Sequence, residues 1–172
     1  MNESEKEIKE REEEEEEEES WVLHAVGHVE SSATESQHRT KEAWAAHECA
    51  VVVAREYAEA AAGLGAYCAT VWVVFGIDRL AEEHLATHPR GDRTREPRGC
   101  FSVSTPARPN HLGVTEAALV AQTLLPDGRV RLTVRGLDAL DGSPVFDLKP
   151  GARTPYAEAE VASAAAAAAS SS

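Results

Sequence analysis

The fold is decided by residues Val114–Arg135, which read VTEAALVAQTLLPDGRVRLTVR. The Pro-Asp-Gly triplet at 126–128 predicts a hairpin turn, because proline presets φ and the Asp-Gly pair supplies positive-φ positions. After the turn, Val130, Leu132 and Val134 alternate with polar residues, which predicts a half-buried strand. The alanine-rich segment before the turn has a helix as its alternative. We predict a strand there, because the turn needs a strand on each side.

Short strands are also predicted on both sides of this hairpin, with polar loops between them. The predicted strands are Val22–Glu30 (with a bulge or a close contact at Gly27), Cys49–Ala54, Thr70–Ile77, Cys100–Ser104 and Pro144–Leu148. A short helix is predicted at Glu56–Leu64, and the segments Ser31–His47, His88–Gly99 and Thr105–Gly113 are predicted to be irregular. Regularly spaced short strands separated by turn signals are typical of a barrel or a sandwich.

Both ends of the chain are biased in composition. Residues 1–20 carry −9 of the formal net charge of −13, and residues 157–172 are almost entirely Ala, Ser and Glu. Neither segment has an apolar face to bury, so we predict an acidic tail that is disordered or an isolated helix, and a second Ala/Ser-rich tail. The predicted domain, residues 21–156, is nearly neutral. It offers nucleic acid only a local basic patch, made of Arg90, Arg93, Arg95, Arg98 and Arg108.

Several functional classes lack their sequence signals. The three cysteines are far apart, which argues against a disulfide framework, and no metal-ligand spacing appears. The Gly-rich nucleotide motifs and the G-x-S-x-G nucleophile motif are absent. With no signal, transit or transmembrane segment recognised, a cytoplasmic location is expected.

Two loops hold the candidate site residues. They are RGCFSVSTPARPNHLG (98–113) and GLDALDGSPVFDLKP (136–150). In the first, Asn110 carries an amide that can read a purine or carboxamide edge, and Arg108 carries a fork for carboxylate or phosphate. In the second, Asp138 and Asp141 are candidates to bind a cation, a ribose diol or a proton. The alternative is that Asn110 and the aspartates only stabilise turns and that Arg108 is solvated.

These two motifs resemble the signatures of the TsaA-like (YaeB-like) family, whose best-known members are the TrmO-type tRNA methyltransferases. The family patterns are approximately R-G-V-F-A-T-R-S-P-x-R-P-N-P-I-G-L and G-x-D-L-L-D-G-T-P-V-L-D-I-K-P-Y. The matching positions include Arg98, Gly99, Phe101, Pro106, Arg108, Pro109, Asn110, Gly113, Gly136, Asp138, Leu140, Asp141, Gly142, Pro144, Val145, Asp147, Lys149 and Pro150. Two upstream segments, HAVGHVESS (24–32) and TVWVVF (70–75), are also similar to family strands, so the resemblance covers about residues 22–156.

The resemblance implies a mainly β fold: a small closed or partly open β-barrel with one or two short helices. It implies S-adenosyl-L-methionine as cofactor and methyl transfer to threonylcarbamoyl-modified adenosine in the tRNA anticodon loop. It also implies a homodimer with the cofactor site near the subunit contact, and no membrane. By position, the residues expected around cofactor or substrate are Asp78, Ser104, Arg108, Asn110, Val114, Asp138, Leu140 and Asp141. No catalytic residue is assigned.

The chain departs from the family pattern at several positions. Ser104 replaces the family's arginine, Asp78 replaces the histidine after the upstream strand, and Thr70 replaces the histidine before it. His111 replaces a proline, Gly151 replaces a tyrosine, and the P-R-Q triplet has Gln37-His38-Arg39 as its nearest candidate. Two alternatives therefore stand beside the tRNA methyltransferase. One is a diverged, non-catalytic barrel that binds a nucleotide-like ligand or a protein partner, and the other is a methyltransferase with another substrate.

Overall fold

The computed structural model describes residues 21–33, 40–79 and 83–155. The two predicted tails and the Gln37-His38-Arg39 candidate lie outside these residues. The predicted domain boundary at 156 therefore stays a prediction.

Six antiparallel strands close into a barrel, which confirms the predicted fold class. The barrel strands are β1 (Gly27–Glu30), β2 (Glu48–Val53), β3 (Thr70–Gly76), β6 (Leu112–Leu124), β7 (Val130–Arg135) and β8 (Pro144–Pro150). Their order is β1-β2-β7-β6-β3-β8, and the pairing of Gly27 with Val145 closes β8 onto β1. Two short strands, β4 (Ala86–Thr87) and β5 (Arg98–Gly99), form a separate ladder.

The alanine-rich segment before the predicted turn is a strand, as expected. The strand β6 pairs with β3 along one edge and with β7 along the other, with a bulge between Leu119 and Ala121. The turn has three residues, because Leu125 N donates to Arg129 O at 2.8 Å and Gly128 N donates to Leu125 O at 2.9 Å. Only Gly128 has a positive φ, 86°. The expectation that Asp127 shares this conformation is wrong, since a three-residue hairpin needs one left-handed residue at its end.

The core fills the barrel with small branched side chains. Alternate residues of β2 and β7 point inward, so Val51 and Leu132 are fully buried, and Phe75 of β3 is 4% exposed. Leu137 and Ala139, which follow β7, complete the same cluster. The three cysteines, Cys49, Cys68 and Cys100, are all buried and unbridged.

The helical segments differ from the prediction in two places. Ser31–His47 was expected to be irregular, yet it contains helix α1 (Lys41–Ala46), which begins where Thr40 Oγ1 accepts a hydrogen bond from Ala43 N at 3.2 Å. The predicted helix Glu56–Leu64 is a 3₁₀ helix at Arg55–Ala61, followed by the short helix α2 (Leu64–Tyr67).

The predicted strand Cys100–Ser104 is wrong, because residues Cys100–Ser102 form a 3₁₀ turn. Cys100 N donates to Leu85 O at 2.9 Å and Ser102 Oγ donates to Gly99 O at 2.8 Å, so the chain bends instead of extending. The predicted strand Val22–Glu30 is shorter than expected, since β1 begins only at Gly27.

Candidate functional site

One end of the barrel gathers both candidate loops. The strand β3 ends there at Gly76, and its antiparallel neighbour β6 begins there at Leu112. A hydrogen bond of 2.7 Å from Ile77 N to His111 O joins the two strand ends. The segment between β7 and β8, residues 136–143, must cross this end because β7 and β8 are separated by β6 and β3 in the sheet.

This crossing segment alternates between core and surface. Leu137 and Ala139 are buried in the barrel, whereas Asp138 is exposed and Leu140 is partly buried. The end of the segment is fixed to β1 and to the residue after it. Gly142 N donates to Val29 O at 2.8 Å, and Asp141 Oδ1 accepts a hydrogen bond from Ser31 N at 2.9 Å. The segment is therefore a rigid plug with side chains on both of its faces.

Two cavities adjoin at this end, and they share Phe75, Ile77, Pro106 and Asp138 in their walls. The larger site cavity, about 310 Å³, is also lined by Trp44, Gly76, Asp78, Arg79, Ala139, Leu140 and Ser143. The smaller site cavity, about 210 Å³, is also lined by Ser104, Thr105, Arg108, Leu112, Gly113, Val114 and Thr115. Small-molecule sites in proteins are commonly concave regions of this kind, with apolar walls and a few polar groups.

Asp138 stands at the junction of the two cavities. Its Oδ1 accepts a short hydrogen bond from the hydroxyl of Thr115, a residue at the start of β6. Among the described residues, no hydrogen-bond donor is recorded on its Oδ2, which is therefore available to a ligand. The two candidate loops thus meet at this carboxylate, since Pro106 of one loop and Asp138 of the other line both cavities.

The site carries charges of both signs. The larger cavity has the carboxylates of Asp78 and Asp138 and the guanidinium of Arg79, whose Nη2 donates to Asp141 O at 2.6 Å. No carboxylate oxygen of the described residues lies within 4.0 Å of that guanidinium. In the smaller cavity, the guanidinium of Arg108 lies 5.8 Å from the centre of the Phe101 ring, which is 78% exposed.

Six of the eight predicted site residues line these two cavities. They are Asp78, Ser104, Arg108, Val114, Asp138 and Leu140. The other two, Asn110 and Asp141, line neither cavity. Asn110 is exposed and has φ of 64° in the tight turn before β6, and Asp141 accepts hydrogen bonds that hold the plug in place. For these two residues the geometry matches the alternative interpretation, in which Asn110 and Asp141 stabilise turns and do not bind a ligand.

Several residues that line the cavities were not predicted from the sequence. The two with the most distinctive side chains are the aromatic Trp44 and the charged Arg79. Trp44 lies in α1, a segment that was expected to be irregular. Arg79 directly follows Asp78 and carried no motif of its own. Its place immediately after a strong strand was the available signal, since binding groups concentrate in loops at strand ends.

A third cavity, about 400 Å³, lies along β1, β2 and β7 and is polar. Its charged residues are Glu30, Glu48 and Arg131, of which Glu30 and Arg131 pair with each other at 2.5 Å. That pairing satisfies both groups internally. The barrel end, where carboxylates and a guanidinium line one space without pairing, is the stronger candidate.

Comparison with known proteins agrees with this geometry. The model of the family described as tRNA-methyltransferase O N-terminal domain matches residues 28–156, three quarters of the chain. The chain belongs to this family. The match spans both loops of the site and all of the barrel except Gly27, the first residue of β1.

Individual relatives of the TrmO N-terminal domain family cover the chain to different extents. A probable S-adenosyl-L-methionine-binding protein of Methanothermobacter thermautotrophicus is 37% identical over 129 residues, which are 74% of this chain and 88% of that protein. A tRNA (adenine(37)-N6)-methyltransferase of Eikenella corrodens is 37% identical over 93 residues, which are 52% of this chain and 50% of the enzyme.

A crystal structure of TrmO from Pseudomonas aeruginosa superposes with a TM-score of 0.57 at 26% identity. The superposition covers 81% of this chain and 59% of that one. The chain therefore spans half of the Eikenella enzyme and less than two thirds of the Pseudomonas structure. Among the residues that the structure describes, no helix has both the length and the apolar character needed to cross a bilayer.

Proposed function

We propose that the barrel end binds S-adenosyl-L-methionine and that the protein transfers its methyl group to the N6 atom of threonylcarbamoyl-modified adenosine in the tRNA anticodon loop. The observation that carries the proposal is the meeting of the two motif loops at Asp138, between two adjoining cavities. A transferase needs two ligands side by side, and adjoining cavities provide two places with a shared wall. The names of the Methanothermobacter and Eikenella relatives support both the cofactor and the reaction class.

The residues of the site fit such a cofactor chemically. Its sulfonium and ammonium groups are positive, and the carboxylates of Asp78 and Asp138 complement them. Its carboxylate is negative, and Arg79 offers a guanidinium that no carboxylate of the described residues pairs with. Phe75, Ile77 and Leu140 give the apolar wall that an adenosyl group needs.

The chain's own contribution to the reaction is alignment and proton acceptance. When bound, the cofactor supplies a methyl group that its sulfonium has already activated. The rigid plug and the joined ends of β3 and β6 hold the cavity walls in one geometry, which lowers the entropic cost of bringing two reactants together. Asp138 lies where both cavities meet, and its Oδ2 is positioned to accept the proton that an amino nucleophile loses.

The proposed assembly is a homodimer. Trp72 and Val114 lie on the outward faces of the adjacent strands β3 and β6, and they are 40% and 57% exposed. Exposed apolar surface marks interaction sites when it is contiguous, and these two exposed side chains are the observation that supports the homodimer. Since Val114 also lines the smaller cavity, a second subunit on this face would stand at the edge of the site.

The proposed location of the protein is the cytoplasm, where tRNA is modified.

The proposed RNA contact is the segment between β4 and β5. Arg93, Arg95 and Arg98 are exposed on or beside that segment. Arg95 also pairs with Asp92 at 3.1 Å, and hydrogen bonds from Thr94 and Arg95 hold the pKa of Asp92 below its usual value. Exposed arginines contribute phosphate contacts whose strength falls with salt.

A non-catalytic binding barrel is the second candidate, and the replacements at Ser104 and Asp78 favour it. Both residues line the cavities at positions where the family pattern carries an arginine and a histidine. Loss of a charged hydrogen-bonding group weakens binding by about 1.5–3 kcal/mol. Restoration by Ser104→Arg is expected to strengthen cofactor binding if the cavity is the cofactor site.

The test compares binding and catalysis in matched variants. Calorimetry with S-adenosyl-L-methionine measures the cofactor, and methyl transfer to tRNA that contains threonylcarbamoyl-adenosine measures the reaction. We expect Asp138→Asn to weaken cofactor binding by about 10-fold, because it removes one of two negative charges while its amide oxygen can still accept from Thr115. Its kcat is expected to fall about 10²–10⁴-fold, the usual contribution of a positioned base.

The control variant is Asp127→Asn, at the tip of the β6–β7 hairpin, where the carboxylate pairs with Arg129 and lines neither cavity. It is expected to match the wild type in both assays. Cofactor binding without methyl transfer by the wild type would favour the non-catalytic candidate. No heat of binding at millimolar cofactor would contradict both the cofactor and the reaction.

A further inference from the structure

Trp44 supplies an indole ring to the wall of the larger site cavity. It comes from α1, a six-residue helix between β1 and β2. A helix of this length is unstable on its own, so its place depends on contacts with the barrel. Trp44 and Ala43 are partly buried, whereas Glu42, Ala45 and Ala46 are exposed. Trp44 is the one large apolar residue of this helix, so it supplies most of the apolar surface with which the helix contacts the molecule.

Backbone hydrogen bonds hold the main chain of Trp44, and its ring contacts the ring of His47. Trp44 N donates to Thr40 O at 3.2 Å, and Trp44 O accepts from His47 N at 3.0 Å. The indole meets the His47 ring edge-on, with centroids 6.0 Å apart and planes at 84°. His47 Nε2 is in turn 2.9 Å from Oγ of Ser31, the same residue whose backbone N–H donates to Oδ1 of Asp141 in the plug. The ring is thus tied to the same framework that fixes the site.

The remaining wall of the larger cavity selects the shape and polarity of its ligand. Phe75, Ile77 and Leu140 are apolar, and the carboxylates of Asp78 and Asp138 are acceptors for N–H groups. A flat aromatic ring that carries an amino group satisfies both features, because its face stacks on an indole and its edge donates to a carboxylate. Adenine is such a ring.

We propose that Trp44 is the stacking residue for a purine base in the larger site cavity. The inference rests on the proposed function, in which both the cofactor and the target nucleotide carry an adenine. It adds the residue that recognises the base, and it gives α1 a role in the site. The two sources of the adenine, cofactor and tRNA, are separated by experiment.

Tryptophan fluorescence tests the proposal without a disruptive change at Trp44. Trp21 and Trp72 line neither site cavity. The double variant Trp21→Phe/Trp72→Phe therefore leaves Trp44 as the sole tryptophan, and Trp21→Phe/Trp44→Phe leaves Trp72 as the sole tryptophan for the matched control, with emission excited at 295 nm or above so that tyrosine does not contribute. Each protein is titrated with S-adenosyl-L-methionine, and then with anticodon stem-loop RNA in the presence of S-adenosylhomocysteine.

We expect the emission of Trp44 to be quenched saturably while that of Trp72 changes little. Quenching by the cofactor alone identifies the cofactor's adenine as the stacked base. Quenching that appears only with RNA identifies the target base. Unchanged Trp44 emission at concentrations that saturate both ligands by calorimetry would overturn the proposal.

The dissociation constant of the ligand is a second measurement, and a purely structural role of Trp44 would leave it unchanged. Trp44→Phe keeps an aromatic face, and Trp44→Leu keeps only an apolar one. Loss of a stacked base weakens binding by about 10-fold or more, so Trp44→Leu is expected to raise the Kd of the stacking ligand by that factor, with Trp44→Phe between it and the wild type. Equal Kd values in all three proteins, with melting temperature alone lowered in Trp44→Leu, would show that Trp44 only packs.

The failure of this inference is distinguishable from failure of the proposed function. Calorimetry on the wild-type protein measures cofactor and RNA binding independently of any tryptophan. If the wild type binds neither ligand, the proposed function is contradicted and the stacking role with it. If the wild type binds but Trp44 does not respond, only the stacking role is wrong.

Discussion

Gly113→Ala is expected to damage both the barrel and the site, because Gly113 lies directly against the Phe75 ring. The two residues are paired across β6 and β3. A Cβ at position 113 would lie 2.6 Å from Phe75 Cε2 and 2.8 Å from Cε1, and closer still to Cζ. Carbon atoms in proteins do not approach this closely, so the ring must move. Phe75 is only 4% exposed and belongs to the core cluster, so the movement disturbs close-packed neighbours.

The magnitude follows from the cost of overpacking a core. One added methyl group that forces a buried ring from its position costs about 1–3 kcal/mol of unfolding free energy. For a chain of this size, 1 kcal/mol corresponds to about 2–4 °C, so the melting temperature is expected to fall by about 2–12 °C. Because Phe75 lines both site cavities, cofactor affinity is expected to fall as well.

The matched control is the same substitution at Gly99. There an added Cβ meets only Leu85 O at 3.9 Å, and φ is −55°, which alanine adopts readily. Gly99→Ala is expected to be neutral or to stabilise by about 0.4–1 kcal/mol, since it reduces the entropy of the unfolded chain. Urea denaturation and thermal melting of both variants give the comparison.

A double-mutant cycle shows whether the clash itself is responsible. Phe75→Leu in the Gly113→Ala background removes the ring that the new methyl group strikes. We expect the double variant to be more stable than the sum of the two single effects by about 1 kcal/mol or more. Full additivity, or a Gly113→Ala protein as stable as the wild type, would refute the packing account of this end of the barrel.

Further predictions concern charge, titration and assembly. Arg79→Ala is expected to weaken cofactor binding by about 10-fold or more in calorimetry, because it removes a charged donor from the larger cavity; the exposed Arg153→Ala serves as control and should bind like the wild type. Burial and the neighbouring carboxylate raise the pKa of the Cys49 thiol from 9.0 to about 11, so Cys49 should resist alkylation at pH 8 in the folded protein. The unfolded thiol ionises first as pH rises, so the free energy of unfolding should fall between pH 9 and about 11, and Cys49→Ala should remove that component in urea titrations. Trp72→Lys is expected to shift the proposed dimer towards monomer in analytical ultracentrifugation, and a wild-type monomer at high concentration would contradict the dimer.

The sequence was sufficient for strands whose partners were also evident. The segment before the hairpin turn contains enough alanine to favour helix, yet it is the strand β6 because both of its edges are hydrogen-bonded, to β3 and to β7. Tertiary pairing of this kind overrides intrinsic propensity. The turn residues at 126–128 predicted the partner β7, and the apolar run at Thr70–Gly76 predicted the partner β3.

Short elements without pairing partners were not predictable in the same way. The segment CFSVS has strand-like composition, but a turn forms because the chain bends between a bond to Leu85 O and a bond to Gly99 O. Helix α1 has one large apolar residue in six, which is too few to show a helical period. Its signal was the cap, since Thr40 precedes good helix formers and accepts a hydrogen bond from Ala43 N.

The division of roles within the plug explains what a motif can and cannot reveal. Leu137 and Ala139 are buried in the core, while Asp138 and Leu140 line the cavities, so alternate residues of one motif serve stability and binding. Any chain that keeps this barrel must keep the apolar half of the motif, and the loop then places the other half at the same end whether or not it is used. The matching motif therefore carries the fold more strongly than the activity. Positions 78 and 104 line the cavities and belong to neither the core cluster nor the plug, so substitutions there are expected to leave the barrel intact and to report on binding. It follows that measurements at Asp78 and Ser104, rather than at the buried residues of the motif, test ligand binding at this end of the barrel.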